Sequence, residues 1–218
     1  MKTLYLDLFS GISGDMFVGA LLDLGVDAGR LELELRKLPV EGYHVHVRRG
    51  QKQNIAGVKF EVHLEEHHHP HDHDPGGHHH PHDHAQAHGH DHETLTSEAP
   101  EHSHGEHGRS IHGDGHGHEH RSFSDIRKLI ESSPLSEWVR QKAVAVFTRV
   151  AVAEGRIHGL QPEQVEFHEV GAVDSIVDIV GACVALDLLG RPTVMASAVT
   201  EGAGWVECAH GRFPVPAP

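Results

Sequence analysis

The sequence predicts an α/β (or α+β) chain: a small mixed sheet with packed helices, interrupted by a long disordered His-rich insertion. Three observations predict it. Short β-branched runs alternate with stretches of helical periodicity. Glycines close several of those stretches. Between His67 and His120 lie 20 of the 26 histidines, in a segment almost empty of apolar residues, and such a composition cannot support a packed core. The predicted organisation is residues 1–66 as the first part of an α/β domain, 67–121 as a His-rich metal-binding insertion, and 122–218 as the second part.

Taken in order, Thr3 to Phe9 reads as a buried strand, Ser10 to Gly14 as a tight glycine loop, and Asp15 to Leu24 as a helix closed by Gly25. A second helix is predicted over Ala28 to Leu38. Two strands follow, around Tyr43 to Arg49 and Val58 to Glu65, joined through Asn54 to Gly57, with one wet face. Beyond the insertion, Ser122-Phe123-Ser124-Asp125 has the form of a capping box opening a helix to Ser132. Ser133 and Pro134 suit the N-cap and first position of a longer helix to Gly155, whose Val139, Ala143, Val146, Phe147 and Val150 share a face. A strand at Gln164 to Phe167 leads through His168-Glu169-Val170-Gly171 into an apolar helix, Val173 to Leu189, ended by Gly190. Thr193 to Ala198 and Gly204 to Cys208 are further β runs. The closing Pro214-Val215-Pro216-Ala217-Pro218 reads as a fragment or frameshift boundary.

The formal charge of −14 over 218 residues is concentrated in the insertion, which holds ten acids and one arginine. The remainder carries 22 acids against 17 bases. No basic stripe interleaved with aromatics appears, which argues against nucleic acid as a partner. No apolar run approaches the roughly 18 residues of a membrane span, and the N-terminus lacks a secretory pattern. With only Cys183 and Cys208, a disulfide framework is not indicated. The predicted compartment is the cytoplasm.

Neutral imidazole is a ligand for nickel, copper and zinc, and interspersed aspartates add negative field. The candidate metal ligands in the tract are His67, His68, His69, His71, His73, His78, His79, His80, His82, His84, His88, His90, His92, His116, His118 and His120. They repeat without the fixed spacing of a structural zinc site. Several exchangeable sites are therefore predicted, serving capture, buffering or delivery of metal. The plainer alternative is a solvated linker. Ligand type does not select nickel, because the affinity order places copper higher.

Three constellations mark the folded part. Asp7, Ser10, Gly11, Ser13, Gly14 and Asp15 sit where a strand meets a helix, and free amides there could receive an anion. The segment is neither a P-loop nor a dinucleotide fingerprint; the plainer reading is that Ser13 or Asp15 caps the helix. His168 and Glu169 precede Asp174 and Asp178, which stand on one helix face. Two like charges within an apolar sequence suggest a metal, a base or a polar ligand between them. The alternative places Asp174 at the helix N-terminus and Asp178 at the surface. Cys208 and His210, two apart, would face the same way in an extended segment and could ligate one metal. Cys183 reads as core packing.

These segments together resemble the nickel insertion proteins of lactate racemase cofactor maturation, the nickel-pincer-nucleotide assembly family. The likeness rests on Tyr5 to Met16, on Phe167 to Ile179, and on Cys208 to Arg212 with Pro214 to Pro218. It implies a nickel chelatase, a metal-inserting lyase. Nickel enters a pyridinium-3,5-bisthiocarboxylic acid mononucleotide, with one nickel–carbon and two nickel–sulfur bonds formed and CTP consumed through a cytidylylated intermediate. The family's C-terminal domain, with which CTP and its Mg or Mn are associated, is absent from this sequence; a frameshifted partner polypeptide could supply it, and a homo-oligomer is possible. Under this resemblance Asp7, Ser10 and Asp15 approach the cofactor phosphate or a metal, Ser10, Gly11, Ser13 and Gly14 line the cofactor, and His168, Glu169, Asp174 and Asp178 form the polar centre. Cys208 and His210 serve as transient nickel ligands. The alternative is a non-enzymatic nickel storage or delivery metallochaperone.

Overall fold

In the computed structural model, residues 2–65, 121–167, 170–208 and 211–216 are described. The histidine tract lies outside them. Strand β1 (Thr3–Leu6) pairs in parallel with β6 (Thr193–Ala196), Thr3 opposite Thr193 and Leu6 opposite Ala196. The expected buried strand is thus shorter and half exposed: Leu4 packs on the core, but Tyr5 is 60% exposed. With one neighbour among the described strands, its alternate residues meet solvent.

Helix α1 (Gly14–Asp23) buries Val18, Leu21 and Leu22, and α2 (Ala28–Leu35) buries Leu31 and Leu35. Asp27 caps α2 by accepting from the Arg30 amide at 2.7 Å. Strands β2 (Tyr43–Lys52) and β3 (Ile55–Leu64) form a ten-rung antiparallel hairpin. The turn is tighter than the sequence suggested. Gln53 and Asn54 alone make it, both at positive φ (50° and 65°), as a two-residue hairpin turn requires. Gly19 of α1 lies under this hairpin, where a Cβ would stand 2.5 Å from the Val58 carbonyl oxygen. Only a glycine lets helix and strand approach so closely.

After the tract, β4 (Arg121–Ser122) pairs with β5 (Glu166–Phe167). Ser122 caps α3 (Phe123–Ser132), accepting from the Asp125 amide at 3.1 Å. The long helix α4 runs Glu137–His158 and is capped by Ser136, a correction to the cap expected at Ser133. Ser133 is instead buried and donates to the Ile130 carbonyl at 2.7 Å, ending α3. Along α4, Val139, Ala143, Phe147, Ala151 and Gly155 face inward, while Val146 is 40% exposed. The Ser136 hydroxyl also donates to Asp187 at 2.7 Å.

Helix α5 (Val173–Leu188) packs against α1, α2, α4 and β3. Its buried Ile176, Val177, Val180 and Val184 join Val18, Leu35, Phe60, Ile126 and Phe147 in one core. Strands β7 (Gly204–Cys208) and β8 (Gly211–Val215) form a last antiparallel pair. The proline-rich stretch therefore contains a strand that its composition concealed. The class is mixed α/β, with the described strands distributed over four two-stranded ladders.

Candidate functional site

The loop from β1 to α1 is held by the segment after β6. The Ser197 amide donates to the Leu6 carbonyl (2.9 Å), the Ser197 hydroxyl accepts from the Leu8 amide (2.8 Å), and the Thr200 amide donates to the Leu8 carbonyl (3.1 Å). Within the loop Gly11 has φ +72°, a conformation glycine adopts without steric cost. Asp7, Ser10 and Ser13 are exposed, and Gly11, Gly14 and Asp15 are half-buried.

This loop sets the N-terminus of α1 against the second turn of α5. A Cβ on Gly14 would fall 2.7 Å from Oδ2 of Asp178, and the Asp15 amide donates to the Asp178 carboxylate. Asp178 thereby satisfies one of the amides that α1 leaves open, since Ser13 makes no side-chain cap. The Ser13 hydroxyl turns instead to Asp15 Oδ1 at 2.5 Å. Asp174 occupies the first turn of α5 and accepts from the Ser175 amide at 2.8 Å.

Burial, the Asp15 charge and the Asp174 charge push the Asp178 carboxyl up to about 6, against a smaller opposing effect of the Asp15 amide. A carboxyl so placed exchanges a proton near neutrality, as an acid or base in a reaction must. The three carboxylates also provide hard oxygen donors for a divalent cation. Among the described residues no three His, Cys, Asp or Glu side chains stand ready to hold a metal ion, so the aspartates would have to turn to close on one.

The structure thus brings Ser13, Gly14, Asp15, Asp174 and Asp178 together, whereas the charges acting on Asp178 do not include Asp7. Asp174 complements the α5 N-terminus, and Asp178 lies half-buried between helices and not at the surface. His168, Glu169 and His210 lie outside the described residues. Their flanks are tied: Gly171 packs on Phe167, with a Cβ position 2.8 Å from the Phe167 carbonyl oxygen. Strand β7 reaches Cys208 and β8 begins at Gly211, pairing antiparallel with it, so the predicted Cys208–His210 pair falls partly outside the described residues. Cys183 is buried in α5, its thiol pushed by burial up to about 12, as core packing implies.

Sequence reading missed one cluster. His44 and His63 stack across the β2–β3 hairpin with ring centres 5.2 Å apart, and His46 lies 6.0 Å from the same His63. Strand alternation in Tyr43-His44-Val45-His46-Val47 already put two of these rings on one face. The third required the register of the hairpin.

A carboxylate cluster between two helices, in a chain that also carries a dense histidine tract, is the make-up of a metal-handling protein. Residues 4–218 match the family described as nickel insertion protein, and the chain belongs to that family. It is 44% identical over its full length to the pyridinium-3,5-bisthiocarboxylic acid mononucleotide nickel insertion protein of Lactiplantibacillus plantarum, covering 45% of that relative. The protein of the same name from Geobacillus kaustophilus is 43% identical and 43% covered. A putative nickel insertion protein of Wolinella succinogenes is 41% identical and 43% covered. The chain therefore spans less than half the length of these relatives. No solved structure matches it.

Proposed function

We propose that this chain is the nickel-handling N-terminal part of a cytoplasmic nickel chelatase that metallates pyridinium-3,5-bisthiocarboxylic acid mononucleotide. The observation that carries the reading is the end-to-end family match to proteins named for that substrate; the Asp15–Asp174–Asp178 cluster supports it with a carboxyl whose pKa is raised toward neutrality. Nickel is a substrate here. It bonds to two thiocarboxylate sulfurs and to the pincer carbon, and the proton it displaces from that carbon needs a base. His168 or Glu169, a few residues ahead of α5 in the sequence, takes that proton, and Asp178 is a second acceptor whose raised pKa suits the task.

Asp7, Ser10 and the amides of Gly11, Ser13 and Gly14 line the nucleotide side. Because the Asp15 amide is already engaged by Asp178, the negative cluster favours a cation bridging to the phosphate over a bare phosphate. Cys208 and His210 hold nickel until the sulfurs replace them. The histidines of the tract supply the metal. CTP with Mg or Mn is handled by the region that the relatives possess beyond the matched part.

The test combines the chain with nickel, CTP and the thiolated mononucleotide, with and without the C-terminal region of a relative. Metallated product, read by its absorbance and mass, is expected only with that region present. Deleting residues 66–120 is expected to raise the nickel requirement and leave insertion intact at saturating nickel. Complete loss there would place the chemistry in the tract and favour a storage or delivery protein.

A further inference from the structure

We infer that the wet face of the β2–β3 hairpin is a binding site for one borderline divalent transition-metal ion, held by His44, His46 and His63. These are three of the six histidines outside the tract. All three side chains are exposed, and His44 stands directly opposite His63 in the ladder. His63 is the shared centre, 5.2 Å from the His44 ring and 6.0 Å from the His46 ring.

As they stand the three rings do not close on an ion, but their spacing permits coordination once they turn. With metal–nitrogen bonds of about 2.1 Å an imidazole centre sits about 3.2 Å from the ion. Rings 5.2 Å apart then subtend roughly 110° at the metal, and rings 6.0 Å apart roughly 140°. The His44 and His63 planes lie 12° from parallel, so their nitrogens must rotate inward. The broad terminal torsion of an exposed histidine permits this at little cost, and the ten-rung register holds the Cβ atoms in place meanwhile.

The neighbouring carboxylate does not compete for the role. Glu61, opposite His46, is bound to Arg48 at 3.0 Å and to Lys59, and these contacts hold its carboxyl below the usual range. The site is therefore an imidazole set completed by water, a composition suited to nickel, copper or zinc and exchangeable by incoming imidazoles. His67, the first residue of the tract, follows His63 by four positions. Tethered ligands that near exchange as though present at millimolar concentration. The binding claim stands on the hairpin alone; that its ion is nickel bound for insertion rests on the function proposed above.

The experiment treats the full chain with diethylpyrocarbonate, with and without Ni2+ as the sole addition, and reads modification of each histidine peptide by mass spectrometry. His44, His46 and His63 should be protected together, their rates falling at least about tenfold, the scale on which metal-site substitutions act. His158, at the far end of α4, serves as the internal control. In His63→Ala, confirmed folded by an unchanged thermal melt, protection of His44 and His46 should be lost. Unchanged rates at nickel concentrations that protect the tract would overturn the site. So would protection of His44 and His46 persisting in His63→Ala, which would mean shielding by metal bound elsewhere. No nucleotide or CTP is present, so the outcome is independent of whether the chain supports insertion.

Discussion

Gly14 and Asp178 meet at the junction of α1 and α5 so closely that a Cβ on the glycine would lie 2.7 Å from both Cβ and Oδ2 of the aspartate. Gly14→Ala must push the helices apart or evict the carboxylate from the Asp15 amide. Overpacking of this kind costs about 1–3 kcal/mol. Gly57→Ala is the comparison, since nothing lies within 4 Å of its Cβ position, and its effect should stay near about 0.5 kcal/mol. Urea unfolding of the two variants checks the difference; equal midpoints would show that the junction yields freely.

Asp178 makes the fold sensitive to mild acid in an unusual direction. Its folded pKa, about 6, stands above the ordinary 3.8, so the folded chain holds the extra proton between those values. Stability from this group is fully present below pH 3.8 and is lost as pH rises through about 6. Because the side chain is partly exposed, solvent screening reduces the effect to at most about 2 kcal/mol. Asp178→Asn should flatten that segment of the stability profile, measured as urea midpoints from pH 4 to 8, and should be no less stable than the parent at pH 8. A slope unchanged by the substitution would assign the pH dependence to other groups.

Asp15→Asn and Asp174→Asn each remove a like charge acting on Asp178. Each is expected to move its titration back toward the ordinary carboxyl value, with Asp15→Asn moving it further. Carboxyl-carbon NMR across pH 3 to 8 resolves the order, and no movement in either variant would mean that burial alone sets the shift.

Cys183 is predicted to be inert. Burial pushes its thiol up to about 12, so essentially no thiolate exists at pH 8. Iodoacetamide should leave Cys183 unmodified in the native chain and label it fully in denaturant; native labelling at a comparable rate would reveal opening of α5.

The hairpin turn offers a gain. Gln53 and Asn54 both occupy positive φ, and Gln53→Asn with Asn54→Gly installs the pair that such turns prefer. Stabilisation of about 0.5–1 kcal/mol is expected from easier occupancy of those conformations. A thermal melt decides it.

How legible these features were follows from the range of the forces involved. The helices could be read because their apolar spacing and closing glycines are local, as Gly25 and Gly190 show at φ +105° and +85°. The start of α4 was misplaced because Ser133 and Ser136 are both competent caps, and what selects Ser136 is its partner Asp187, 51 residues away. The acidic pair on α5 was visible from spacing alone. Its depth was not, since Asp178 acquires a raised pKa only when Gly14 and Asp15 are brought against it. The histidine triad escaped notice because His44 and His63 become neighbours only through hairpin register.

The parallel pairing of β1 with β6 carries a consequence for biosynthesis. Thr3 and Thr193 are joined across the chain, so β1 emerges from the ribosome long before its partner exists. Until then the Asp7-to-Gly14 loop, held in place by Ser197 and Thr200, has nothing to shape it. Contacts of such high sequence separation form late. The nascent chain can therefore assemble α1, α2 and the hairpin as an early helix-and-hairpin unit, while the α1 side of the carboxylate cluster gains its β6 anchor only near the end of synthesis.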